Sequence, residues 1–475
     1  MLFTFTIVQS LKEFFPFEPT PIQEKAMDRL TKFVLYADKP VLFILKGYAG
    51  TGKTTLISTF INWLPKIGLK SILSAPTGRA AKVLSNYSNK LALTIHKQIY
   101  YHSNVDGKIV FTIQKNKHSN TIFIVDEASM ISDSGGIGGS FVSQKRTLLD
   151  DLIDYVYSGK NCRLILIGDT AQLPPVGSSE SPALDLPYLS NRFPIQVGEI
   201  ELNQVTRQAK DSGILHNATL LRETLNKEEQ FFPRFNLSDF QDIRKLYGYE
   251  IEEEISSCYS QDGIENTIIV CRSNKQANNF NKYIKYSVLF QEDELNAGDL
   301  LMVVRNNYFW LKQEDKIDFV ANGDMLEVMR VIDYEDKYGF RFANASIRLL
   351  DFKTDTEFDV KLLLDTISIE SSSLGKEDGQ KLYNAVWNSY SDIRDKRKRK
   401  KAVKDDPYFN ALQVKFGYAI TCHKSQGGQW KNVFVDQGYL TDEMINKEYL
   451  RWLYTGVTRA IDKLYLTNFN EKFFL

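Results

Sequence analysis

Short apolar runs recur along the chain at residues 41–45, 71–75, 121–125 and 163–167. Each closes in a polar turn. Runs of four to eight apolar residues separated by helix-length segments are the pattern of strands buried on both faces of a parallel α/β sheet. Upstream, Thr20 is placed to cap a helix with Pro21 in its first turn, and Ile22, Ala26, Leu30 and Phe33 fall on one face. The rhythm breaks at residues 100–117, where two β-like runs flank Asn104-Val105-Asp106-Gly107, a hairpin turn signal. That hairpin reads equally as a projecting wedge or as a plain surface excursion. A second α/β set opens with the run 267–271. Alternating strands from about residue 297 to 364, with turns at Asn322-Gly323-Asp324 and Lys337-Tyr338-Gly339, then read as a small β-barrel. A polar helical stretch follows and ends in a basic cluster at residues 394–401. Such clusters are commonly solvated faces, and nucleic acid is the other reading. The α/β pattern returns with strands expected at 416–421 and 463–467.

The most informative turn follows the first run: Gly47-Tyr48-Ala49-Gly50-Thr51-Gly52-Lys53-Thr54, with the helical segment 56–64 behind it. This is a phosphate-binding loop in its strand–loop–helix setting. Glycines let successive amides and the helix N-terminus point at one anion, Lys53 reaches the β/γ-phosphates, and the Thr54 hydroxyl serves Mg²⁺. The chain therefore reads as one that binds and hydrolyses a nucleoside triphosphate.

Other strand ends carry matching chemistry. Asp126 and Glu127 end the third run, where open parallel sheets bind ligands; Asp126 can hold the metal through water and Glu127 can polarise the attacking water. Gln172 follows the fourth run and has an amide that bonds to both anion and water. Gln23, at the start of the upstream helix, can pair with the N6/N7 edge of adenine. Thr77, Gly78 and Arg79 present a hydroxyl, an amide and a guanidinium to a second phosphate chain, and Thr94-Ile95-His96-Lys97 is a similar cluster. The Gly/Ser-rich stretch 132–143 reads as a mobile loop.

Composition bounds this picture without changing it. At 475 residues, with 43% hydrophobic and 25% charged positions, two to four globular domains are expected. Lys plus Arg equals Asp plus Glu at 59 each, so a polyanion must be held by local patches. Cys162, Cys258, Cys271 and Cys422 lack zinc or disulfide spacing. No run is long enough for a membrane span and the start lacks a secretion signal, so a cytoplasmic protein is expected.

In order, GYAGTGKTT, APTGRAA, VDEASM, GDTAQLPPV, LNQVTR, ITCHKSQGGQW and YTGVTRA resemble the motifs of superfamily 1 DNA helicases. Three of them, VDEASM, GDTAQLPPV and HKSQG, resemble the RecD/Dda-like branch, which moves 5′ to 3′ on single-stranded DNA. The resemblance implies two RecA-like P-loop NTPase domains with ATP between them, a β-hairpin insertion in the first and an SH3-like β-barrel insertion in the second. The expected limits are 1–195 for the first motor domain, 196–296 plus 408–475 for the second, and 297–407 for the insertion with its basic helical segment.

Residue by residue, the resemblance implies nucleotide contacts from Gln23 as adenine reader, from Gly47, Ala49, Gly50, Thr51, Gly52, Lys53, Thr54 and Thr55, and from Gln429. Thr54 and Asp126 become the Mg²⁺ residues, Glu127 the water-activating base and Gln172 the γ-phosphate sensor. Arg207 and Arg459 become arginine fingers. DNA contacts fall to Pro76, Thr77, Arg79, His96, Thr421, His423 and Lys424, and the hairpin matches the strand-splitting pin. The implied partners are single-stranded and forked duplex DNA, and the architecture is expected to work as a monomer. Two alternatives remain at this level: a translocase that strips proteins from DNA without unwinding, and a nucleotide-switched DNA-binding protein.

Overall fold

The computed structural model describes residues 11–35, 40–105, 108–134, 146–206, 211–227, 232–311, 319–350 and 357–475. The Asp106-Gly107 turn, most of the Gly/Ser-rich stretch and Arg207 lie outside them. The first lobe is built from β1 (Val41–Gly47), β2 (Lys70–Ala75), β3 (Ala92–Thr94), the hairpin β4 (Tyr100–Val105) and β5 (Lys108–Ile113), β6 (Ser119–Val125), β7 (Lys160–Gly168) and β8 (Gln196–Leu202). Its sheet runs β3-β2-β6-β7-β1-β8 and is parallel throughout. Leu42, Ile44, Leu45, Ile122, Ile124, Leu164, Ile165 and Leu166 are wholly buried in it. Each contributes on the order of 1.5–3 kcal/mol by leaving water, so the strand ends that carry the chemistry are held by the best-packed part of the molecule.

This sheet corrects the expected boundary at residue 195. β8 pairs with β1 from Val41–Gln196 to Gly47–Leu202, so the run after 195 is the edge strand of the first lobe. The reason is local: Ile200 and Leu202 are buried against that sheet while Glu201 points outward.

The second lobe contains β9 (Ile243–Leu246) and β10 (Thr267–Cys271). The chain then leaves for a closed barrel of β11 (Leu300–Val303), β12 (Met325–Lys337), β13 (Phe340–Leu349), β14 (Glu357–Leu363) and β15 (Leu412–Phe416). It returns as β16 (Ala419–Thr421), β17 (Trp430–Asp436) and β18 (Ala460–Thr467), completing the order β16-β10-β17-β18-β9.

Here too an expected limit moves. The barrel does not end at residue 407, because β15 pairs antiparallel with β11 and closes it. One strand was expected across 416–421. Instead Gly417, whose amide bonds to the Leu300 carbonyl at 2.8 Å, separates the last barrel strand from the next sheet strand. A buried ion pair, Lys285 to Asp299 at 2.7 Å, fixes the root of the barrel to the lobe, and Tyr418 donates to the same carboxylate at 2.6 Å. Breaking such a pair from one side costs about 3–5 kcal/mol.

Between β14 and β15 lie the helices Lys376–Ser389 and Lys396–Lys404. Leu382, Val386 and Val403 pack with Phe340 and Phe342 of the barrel. Among the described residues no helix is long and apolar enough to cross a membrane.

Candidate nucleotide site and nucleic-acid interface

The two sheets face each other across a cleft of about 680 Å³. Its lining includes Ala49, Gly50, Gly52, Lys53, Thr54, Asp126, Glu127, Asp169 and Gln172 from the first lobe, and Gln429 and Arg459 from the second. The loop after β1 makes this possible through Gly50 and Gly52, whose φ values of 72° and 78° suit glycine. Thr51 is fully buried and its hydroxyl donates to the Tyr48 carbonyl at 2.8 Å, so it shapes the loop from behind. Gly47, Thr51 and Thr55 do not line the cleft. Lys53 folds back within the loop, with Nζ donating to the carbonyls of Gly47 and Tyr48 and lying 3.9 Å from Asp169.

Glu127 follows β6 with a left-handed φ of 52°, a costly conformation for a side chain other than glycine or asparagine. The turn aims its carboxylate across the cleft, 3.9 Å from Arg459. Its side chain keeps 19% of its surface exposed. Burial pushes the carboxyl up to about 7, the Arg459 charge opposing and the Asp126 charge reinforcing the rise. Asp126 accepts from the Glu127 amide at 2.8 Å and from the Tyr87 hydroxyl at 2.7 Å. Tyr87 is itself pushed well above the usual phenol range by burial and by that carboxylate.

Arg459 is only 3% exposed. Its Nε donates to the Thr455 carbonyl at 3.0 Å, Nη1 to the Gly428 carbonyl at 3.2 Å and Nη2 to the Thr458 hydroxyl at 3.2 Å. The planar fork is thereby fixed with one edge toward Glu127. Gln172 is 7% exposed, and its Oε1 has no hydrogen-bond partner among the described residues. A buried acceptor left open in a polar cleft is costly unless water or a ligand completes it.

Gln23 has a structural role beside the one expected of it. It stands three residues after Thr20, and the two form a helix cap: the Thr20 amide donates to Gln23 Oε1 at 2.9 Å and the Gln23 amide to the Thr20 hydroxyl at 3.4 Å. Its Nε2 donates to the Thr51 carbonyl at 3.0 Å. Both ends of the carboxamide are engaged, and Gln23 braces the phosphate loop rather than lining the cleft.

Sequence reasoning passed over several residues that join the lobes. Tyr454 donates to Asp169 at 2.7 Å and accepts from the Ala49 amide at 3.0 Å. Thr455 accepts from the Leu173 amide at 2.9 Å, and Gln426 donates to the Leu173 carbonyl at 2.7 Å. Asp169 carried a visible signal, a carboxylate at the C-terminal end of β7 like Asp126 on β6. Tyr87, inside the helix Gly78–Ser88, carried none.

The residues expected at nucleic acid are less uniform. Thr77 caps the helix Gly78–Ser88 by accepting from the Ala80 amide, and it follows Pro76 at the end of β2. The Arg79 guanidinium lies 3.9 Å from the centre of the Trp430 ring, an interlobe stack. His96 packs on Tyr100 at 5.8 Å, and burial lowers its pKa as it does that of His423. Thr421 precedes the short helix Cys422–Ser425, which carries His423 and Lys424. The Lys424 ammonium is buried without a hydrogen-bond partner among the described residues, and burial lowers it to about 8.

Comparison with known proteins agrees with this architecture. Residues 21–231 match the AAA domain family and residues 416–467 the UvrD-like helicase C-terminal domain family. The ATP-dependent RecD2 DNA helicase of Deinococcus radiodurans is 33% identical over 37% of this chain and 21% of its own length. The ATP-dependent DNA helicase Dda of Enterobacteria phage T4 is 25% identical over 88% of this chain and 92% of its own. An uncharacterized protein of Methanocaldococcus jannaschii is 27% identical over 93% of this chain, which spans 38% of that protein. The chain is similar to helicases of superfamily 1, in the branch of RecD and Dda.

Proposed function

We infer that this protein is an ATP-driven DNA helicase that moves 5′ to 3′ on single-stranded DNA and separates the duplex ahead of it. The observation that carries the reading is the convergence of Lys53, Asp126, Glu127 and Gln172 from one lobe and Arg459 from the other on a single cleft.

The donors suit a nucleoside triphosphate. Loop amides and the N-terminus of the helix Lys53–Trp63 face the cleft, and Lys53, held there by two backbone carbonyls and a 3.9 Å ion pair with Asp169, is the cation beside the phosphates. Thr54 and Asp126 are the residues that would hold Mg²⁺. One hydroxyl and one carboxylate fit an ion that keeps water and shares the nucleotide's phosphates, and no cluster of three or more metal-binding side chains occurs among the described residues. That ion would neutralise charge on the phosphate oxygens.

Glu127, with its carboxyl near neutrality, is suited to take a proton from the attacking water. Gln172 offers its open carbonyl oxygen to the same water or its amide to the γ-phosphate. Arg459, already rigid, stabilises charge spreading over the transferred group. Because it belongs to the opposite lobe, its contacts with the phosphates favour the approached arrangement of the lobes, and hydrolysis releases it. Lys424 is assigned to a DNA phosphate, a contact that ignores base sequence. Hairpin β4–β5 is assigned to strand splitting.

ATP turnover with and without single-stranded DNA tests this. Strong stimulation that vanishes in Lys53→Ala, with the melting temperature kept, is the expected result. Turnover indifferent to DNA would leave a nucleotide-switched binding protein instead.

A further inference from the structure

The helix Lys396–Lys404 and the turn before it carry eight basic residues and one acidic residue between positions 394 and 404, in a chain whose charges balance only when this segment is counted. Its inner side is committed. Val403 is buried against Leu382, Val386 and Phe342. Arg399 donates to the Trp387 carbonyl at 2.9 and 2.6 Å and lies 4.5 Å over the Trp387 ring. Asp395 is used as the cap, accepting the amides of Arg397 and Lys398.

The outer side is free. Lys396, Arg397, Lys398 and Lys401 are exposed, and the charge of Lys398 also acts on the capping Asp395 carboxylate. At helical spacing Arg397, Lys398 and Lys401 stand opposite Val403. Holding like charges this close costs stability unless a counter-charge arrives.

The place of this helix in the fold indicates what arrives. Asn410 donates to the Lys404 carbonyl at the end of the helix, and its own carbonyl accepts from Asn307 at 2.7 Å and Trp310 at 2.8 Å. Between those two residues Tyr308 meets Phe111 of the hairpin, ring centres 5.7 Å apart. The segment Asn307–Trp310, which follows β11, therefore ties the basic helix to the base of the hairpin.

We propose that the outer face of this helix grips the phosphate backbones of duplex DNA as it enters at the hairpin. The proposal rests on the strand-separating function inferred above. A single strand is the poorer fit, because the segment 394–404 contains no aromatic residue on which a base could stack. A protein partner is poorer still: the exposed side has no apolar anchor, Val403 being turned inward. The helix is already ordered by its cap and its aromatic floor, so duplex binding carries little ordering cost.

The experiment is fluorescence-anisotropy titration of forked duplex, blunt duplex and an oligo-dT strand across a salt series. It compares wild type with the triple variant Arg397→Gln, Lys398→Gln, Lys401→Gln. Fork and blunt-duplex affinity should fall about tenfold or more near 100 mM salt, with the slope of log affinity against log salt shallower by roughly two to three. Oligo-dT affinity and oligo-dT-stimulated ATPase should stay at wild-type level. Unchanged fork and duplex affinity, or an equal loss on oligo-dT, would overturn the proposal. So would wild-type binding of polyglutamate as tight as binding of duplex, since that would assign the face to acidic polypeptide. Failure of the helicase reading itself would show separately, as wild-type ATPase that oligo-dT does not stimulate.

Discussion

Tyr454 of the second lobe hydrogen-bonds to Asp169 of the first at 2.7 Å and with the same oxygen receives the Ala49 amide of the phosphate loop at 3.0 Å. One phenol thus connects the loop that holds phosphate, the carboxylate 3.9 Å from Lys53, and the helix Lys447–Val457 that leads to Arg459. Tyr454→Phe removes the oxygen and leaves Asp169 and Ala49 each short of a partner. The expected loss is about 1–3 kcal/mol of unfolding free energy by denaturant titration, with no weakening of ATP binding because the freed amide turns to phosphate. Unchanged stability with a several-fold rise in KM for ATP would show that the hydroxyl serves the nucleotide instead.

Glu127→Gln keeps the shape of the side chain and removes the base. ATP binding should persist while turnover drops by roughly two orders of magnitude or more. Equilibrium binding of a labelled nucleotide beside a steady-state assay separates the two. Loss of binding would mean that the left-handed turn at residue 127, rather than the carboxylate, is what the site requires.

Arg459 has a dual position that sharpens its test. Three of its bonds go to its own lobe, so Arg459→Ala strips donors from the carbonyls of Thr455 and Gly428 and should lower the melting temperature as well as turnover. Arg459→Lys separates the roles when assayed well below melting. As a finger, lysine leaves kcat depressed about a hundredfold with ATP affinity nearly kept, because a point charge cannot span two oxygens. Recovery of kcat in proportion to recovered stability would make Arg459 a structural residue.

Much of this was legible in the chain because period and punctuation agree. The runs at 41–45, 121–125 and 163–167 are apolar on both faces, and only a covered parallel sheet has a place for them. Where a rule failed, tertiary pairing had decided. The strand Gln196–Leu202 is partly polar and nothing in it says which sheet it joins; the pairing of Gly47 with Leu202 does. The alternating run Leu412-Gln413-Val414-Lys415-Phe416 passes straight into Tyr418-Ala419-Ile420, and only the turn at Gly417 divides barrel from sheet. Gln23 carries a second, structural role that follows from a local rule, since Thr20-Pro21-Ile22-Gln23 is a capping box. The interlobe contacts of Tyr454 and Arg79, and the bond from Tyr87 to Asp126 within the first lobe, have no sequence signature, because they join residues tens to hundreds of positions apart.

Lys424 supplies a pH test. Burial lowers its ammonium to about 8, so the charge is present below that pH and lost above it, and a bound phosphate raises the value again. Single-strand affinity should be level below about pH 7 and decline above pH 8, by up to about tenfold per unit. Lys415 is also lowered to about 8, by burial and by Lys424, so Lys424→Met is the needed control. That variant should bind weakly with a flat profile from pH 7 to 9. A decline that survives in Lys424→Met would move the contact elsewhere.

The most direct test of a motor that tracks one strand and splits the other is unwinding of forked duplexes bearing a single 5′ or 3′ tail, with ATP and Mg²⁺ supplied and release of the labelled strand followed in time. Strand release from the 5′-tailed substrate, with little from the 3′-tailed one and none in Lys53→Ala, is the predicted result. ATP hydrolysis stimulated by both tails with release from neither would contradict it.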